Sequence, residues 1–204
     1  MSKRQHLGIL SAGLLAVSLG ITGSLAFMTT TQAKENVFLI GDDFGTGDTS
    51  KITLTEPNWK ESLAQDVVAN QTLKKDPTVT NNSDIPVYAF IVVDEPLITV
   101  DSKTTPLFSY SLNSGWIALA TSETTDTKTT VYAYATNLAM TTLSPTSSTT
   151  LFDSVTTASF PSGNAVQGTD QTITVKSYVI QTQGLKSNYP QDVWQVVLGQ
   201  GVNA

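Results

Sequence analysis

Cysteine is absent from these 204 residues, so disulfides, thiol nucleophiles and thiolate metal sites are all excluded. Histidine and arginine each occur once, as His6 and Arg4, and both lie within the first six residues. Charge is sparse too, at 14% of the chain with 17 acidic against 11 basic residues. A chain this poor in Arg and Lys clusters has no electrostatic footprint for nucleic acid. Long apolar runs are missing everywhere except at the start.

That start reads as a targeting segment. Lys3 and Arg4 provide a positive beginning, and residues 7–27 then run without charge through Leu, Ile, Ala, Val, Gly and Ser. An uncleaved membrane anchor is the alternative, because about 20 apolar residues can span a bilayer; the many Gly and Ser residues weaken it. Two small-x-small sites close the segment, Ser24-Leu25-Ala26 and Thr31-Gln32-Ala33, and cleavage after Ala26 is preferred. Residues 1–26 are then a signal peptide and 27–204 a single domain of roughly 178 residues, enough for one ordinary core. Removing Lys3 and Arg4 leaves nine basic residues against 17 acidic ones, a net charge of −8, with no imidazole and no guanidinium. Such a chain is repelled by anionic lipid once released. It is also without histidine triads, the H-E-x-x-H zinc motif and histidine general bases.

The remainder is rich in Thr, Val, Ser and Ile, with short β-prone runs separated by turn formers, which predicts an all-β sandwich or barrel. Strands are expected at 51–56, 78–81, 87–93, 116–121, 129–136, 149–153 and 172–181. In the last, Ile173, Val175, Ser177 and Val179 alternate with Thr174, Lys176, Tyr178 and Ile180, the period of a sheet buried on one side. Asn81-Asn82-Ser83-Asp84 with Pro86, and Pro161-Ser162-Gly163-Asn164, read as chain-reversing turns. Residues 141–150, almost wholly Thr, Ser and Leu, read as a connecting loop. PQDVWQVVL at 190–198, with Pro first and Gly199 after it, reads as a short helix laid over a sheet edge or sandwich end by Val193, Trp194 and Val197.

Three candidate chemistries follow from the residues. Asp42, Asp43 and Asp48 in the Gly-rich stretch GDDFGTGD could converge oxygen ligands on calcium, although the spacing is not that of an EF-hand and a solvated turn is the simpler reading. Asp94-Glu95 could be an acid/base pair, but neighbours on a strand point to opposite faces, so a strand end is expected there. Trp59, Trp116, Trp194, Tyr110, Tyr132 and Tyr134 could build a sugar-stacking platform, with Tyr132 and Tyr134 on one face; filling the core is the commoner use of strand aromatics.

KITLTEPNW (51–59), NQTLKKDPTVTNNSDIPVYAFIVVDEP (70–96), LFDSVTT (151–157) and ITVKSYVIQTQGL (173–185) follow one another along the chain before a Trp-containing tail at Trp194. Together with the junction GSLAFMTTT (23–31), they resemble the TasA/camelysin family of bacterial exported proteins, whose signals are removed by a dedicated signal peptidase. Within the second segment, Lys74-Lys75-Asp76-Pro77 reads as a polar approach in which Pro bars ladder pairing before the strand at 78–81.

The resemblance implies a jelly-roll β-sandwich with a few short helices and no cofactor. It also implies a secreted biofilm-matrix or cell-surface protein, most naturally of a Gram-positive bacterium. Subunits of that kind are joined head to tail by donor-strand exchange, in which the leading strand of one copy completes the sheet of the next, so the expected partner is a further copy of this chain, with other matrix or anchoring proteins beside it. The candidate donor is 27–40, with Phe27, Val37, Phe38, Leu39 and Ile40 as its apolar residues. The alternative is that this segment is the first strand of its own sandwich. Two rivals come from other classes: a camelysin-like metalloprotease, for which no zinc-ligand set remains after signal removal, and a monomeric adhesin or glycan-binding module.

Overall fold

The computed structural model describes residues 51–60, 67–159 and 171–199, together with the backbone of 36–39. Among them are twelve strands and one α-helix. The strands are β1 (Asn36–Leu39), β2 (Ile52–Thr55), β3 (Thr72–Lys74), β4 (Thr78–Asn81), β5 (Val87–Val100), β6 (Lys103–Pro106), β7 (Phe108–Ser109), β8 (Trp116–Glu123), β9 (Thr127–Tyr134), β10 (Ser147–Thr150), β11 (Ser154–Thr157) and β12 (Thr174–Gln181). The helix, α1, spans Pro190–Gly199. The chain is therefore an all-β sandwich with one short helix among the described residues, where several were expected.

β5 is the spine. Its first seven residues, VYAFIVV, are β-branched, aromatic or Ala, and all are buried, which is the signature of a strand covered on both sides. β12 and β9 flank it antiparallel, β8 follows β9, and β1 lies outside β12, giving the order β1-β12-β5-β9-β8. Val87, Ala89, Ile91 and Val93 face one core, shared with two three-stranded sheets ordered β10-β4-β2 and β3-β11-β7. Tyr88, Phe90 and Val92 face a second core closed by α1.

The helix therefore covers a face of the central sheet rather than an edge or an end. Trp194 is its anchor, with ring centroids 5.0 Å from Phe90 and 5.7 Å from Tyr178. Val193 and Val197 complete the apolar stripe at helical spacing, and Pro190 opens the first turn where a missing N–H costs nothing. This lid also corrects the one-sided reading of β12. Val175 and Val179 enter the first core while Tyr178 and Ile180 enter the second, so the strand is buried on both faces.

β5 also outruns its expected end at Val93, continuing through Asp94, Glu95 and Pro96 into a hairpin with β6. Asp101 and Ser102 form the two-residue turn, both with positive φ, as a hairpin turn of the right twist requires. The stretch 141–150 is likewise not all loop, and the strand expected at 149–153 lies earlier: Ser147–Thr150 pairs with β4, and 151–153 belong to no strand. Thr149 turns inward and accepts the Trp116 indole N–H at 3.0 Å. Outward hydroxyls bond across strands, Thr78 to Thr150 and Thr80 to Ser148 at 2.8 Å each, so hydroxyl pairs hold this face where charges are scarce. The turn after β4 forms as expected. Asn81 is fully buried and donates to the Ile85 and Leu143 carbonyls while its own oxygen accepts the Ser83 N–H. Gly115 is required at the start of β8, since a Cβ there would sit 2.7 Å from the Tyr134 ring.

Candidate functional site

Three places carry functional potential: the β1 edge of the central sheet and two buried ion pairs. At the edge, Asn36, Val37, Phe38 and Leu39 pair in parallel with Ser177, Tyr178, Val179 and Ile180. Every other strand pairing among the described residues is antiparallel. The four-residue strand thus lies in its own molecule, attached through main-chain ladder bonds to the rim of a sheet already four strands wide. Of the predicted donor residues, Val37, Phe38 and Leu39 are on this edge, whereas Phe27 and Ile40 lie outside the described residues, as do the cleavage residue Ala26 and the calcium candidates Asp42, Asp43 and Asp48.

The first ion pair sits where two of the resembling segments meet. Glu56 follows β2 and Lys75 follows β3; Lys75 Nζ lies 2.6 Å from Glu56 Oε1, with the side chains only 3% and 7% exposed. The Trp59 ring stands 5.0 Å from the same Nζ, on which an ammonium is stabilised by the ring's negative face. Beside it the buried Asp76 carboxylate accepts the Asn58 backbone N–H at 3.0 Å and the Asn58 side-chain amide at 2.7 Å. Burial pulls the Lys75 amine below its ordinary range, against the pull of Glu56 and Asp76. Glu56 Oε2 is buried with no hydrogen-bond partner.

The polar approach expected at 74–77 therefore splits: Lys74 is exposed at the end of β3, while Lys75, Asp76 and Pro77 are buried in a polar knot. Composition could not reveal this, because charges beside a Pro ordinarily stay in water. Nothing within TEPNW or KKDP marks the two as partners; the fold brings Glu56, Asn58 and Trp59 against Lys75 and Asp76.

The second pair is cross-strand. Glu95 on β5 stands opposite Lys128 on β9, with Lys128 Nζ 3.2 Å from Glu95 Oε1. Glu95 is 1% exposed and Lys128 27%. Burial raises the Glu95 carboxyl above the usual carboxylate range; Lys128 opposes this and Glu123 adds to it. Close by, the Tyr110 and Tyr132 hydroxyls bond each other at 2.9 Å, and burial raises both phenols. Asp94, on the opposite face as expected, meets Lys176 at 3.3 Å and accepts the Thr129 hydroxyl at 2.6 Å. The two carboxylates are thus committed to separate partners in mid-strand, and neither lies at a strand end.

The aromatic residues do not form a platform. Trp116 and Tyr132 are in the first core and Trp194 is in the second, and Tyr134 packs on Trp116 at 5.4 Å. Tyr110 borders a surface cleft of about 300 Å³ with Ser109, Asn113 and Asp153, but its ring is stacked on Phe152 at 4.3 Å. No group of three or more potential metal-ligating side chains converges among the described residues, and none of their helices is long and apolar enough to cross a membrane. Compared with protein-family models, curated proteins and solved structures, the chain finds no match.

Proposed function

We propose that this chain is an exported structural subunit, without enzymatic activity or cofactor, that polymerises into extracellular biofilm-matrix or cell-surface fibres by exchange of its leading strand. The observation that carries the reading is β1 itself: a short strand added in parallel to the rim of an otherwise antiparallel sheet. Ladder bonds of this kind are made by main-chain groups, so the same segment of a neighbouring copy can make them equally well. In a single chain the segment occupies its own β12, and assembly on this reading is an exchange in which each copy vacates β12 for the strand of the next. The sequence resemblance to TasA/camelysin proteins supports the same reading and adds the jelly-roll connectivity, the signal cleaved beside Ala26 and a Gram-positive surface as the destination.

The test is electron microscopy of purified chain beginning at Phe27, beside a version lacking residues 27–40. The form beginning at Phe27 should give filaments, and the truncated form a folded species that stays monomeric. Filaments of unchanged yield from the truncated form would remove strand exchange as the mechanism.

A further inference from the structure

The Glu56–Lys75 knot has the makings of a covalent staple. The amine and carboxyl are in contact at 2.6 Å and both are nearly sealed from water: Glu56 directly follows β2 of the β10-β4-β2 sheet, and Lys75 lies in the short connection from β3 of the β3-β11-β7 sheet to β4, the strand paired with β2. As an ion pair the arrangement is poorly served. Glu56 Oε2 is buried without a hydrogen bond, and two buried charges repay their desolvation only when their remaining hydrogen-bonding capacity is filled. The Trp59 ring closes the amine side, and Asp76 is engaged by Asn58, so neither supplies the missing donor.

We propose that Glu56 and Lys75 are the site of an intramolecular isopeptide bond that forms after the chain folds. Proton transfer from Lys75 Nζ to the Glu56 carboxylate gives the neutral amine and carboxylic acid from which condensation starts, and burial of the amine favours its neutral form. The Lys75 Nζ lone pair then attacks Glu56 Cδ, forming the C–N bond as the carbonyl pair moves onto oxygen. Collapse of that intermediate expels the other oxygen as water, which takes one proton from the nitrogen, so the net change is amine plus carboxylic acid to amide plus water. No oxidant, activating group or enzyme is consumed. Holding the two groups in fixed contact supplies an effective concentration on the order of 10⁵–10⁸ M, which drives a condensation that free solutes in water do not undergo. The product amide ties the end of β2 to the connection between β3 and β4, in a protein that has no cysteine to do so. This inference does not rest on fibre formation.

Mass spectrometry of the denatured, purified chain decides it. The intact mass should fall short of the value for its own N-terminus by one water, and proteolysis should yield a branched peptide joining the segment of Glu56 to that of Lys75. Glu56→Ala and Lys75→Arg should each restore the full mass, and the branched peptide from the wild-type chain assigns the bond to these two residues whether or not a variant folds. A wild-type chain of full mass, or a dehydrated mass that persists in both variants, overturns the proposal.

Discussion

The two buried Lys–Glu contacts use the same chemistry in different surroundings. At Glu56–Lys75 both partners are sealed off, and burial acts on the amine; at Glu95–Lys128 the lysine reaches solvent, and burial acts on the carboxyl. The first joins residues outside any strand, Glu56 just after β2 and Lys75 between β3 and β4, so no ladder register sets it directly. The second is a direct cross-strand pair set by register and can form as soon as β5 and β9 zip together. What separates them is how much water the lysine keeps, because a solvated ammonium can leave its partner and a sealed one cannot.

Cutting each contact should expose this difference. Lys75→Ala strands a carboxyl in the interior and should cost about 3–5 kcal/mol in denaturant unfolding. Lys128→Ala should cost less, about 1–3 kcal/mol, because Glu95 already holds its proton more readily than an ordinary carboxyl and can become neutral. Equal losses in the two variants would break the comparison.

A finer measurement is the pH dependence of stability. With its folded-state affinity for the proton raised, Glu95 keeps a proton in the folded chain over a range where the unfolded chain has lost it. Between the ordinary glutamate value and the raised one, stability should therefore fall as pH rises. Glu95→Gln should flatten the slope in that mildly acidic range, and an unchanged slope would assign it to other groups. The smallest effect belongs to the solvated pair Lys51–Asp84, 3.2 Å apart with side chains 40% and 91% exposed. Lys51→Ala should change stability by no more than about 0.5 kcal/mol and respond little to added salt in a melting experiment.

Much of the fold was legible because it is written in local pattern. The apolar run at 87–93 announced a strand, the Asn81 turn announced its own reversal, and Pro190 with Val193, Trp194 and Val197 announced the helix and its buried stripe. Partners across space were not legible. Local pattern predicted a strand at 149–153 beside a Ser/Thr loop, but its bounds, Ser147–Thr150, were set by pairing with β4 more than sixty residues earlier. The continuation of β5 through Pro96 was hidden for the same reason: Pro discourages a central strand, and here it pairs opposite Thr127 at the beginning of β9. The site was less legible still. Glu56 and Lys75 are nineteen residues apart in segments of ordinary polarity, and only the folded chain brings them together and removes the water around them.

By itself the sequence determined that disulfide and thiolate chemistry is impossible, that the chain folds from β-strands, and that its final apolar stripe is helical, because composition and period act over a few residues at a time. Tertiary structure alone decided that the helix lies on a sheet face, that the aromatic residues divide between two cores, that β1 runs parallel to β12, and that two lysines meet two glutamates inside. Those outcomes depend on desolvation, and a group is desolvated only by neighbours that the folded chain brings to it from far away.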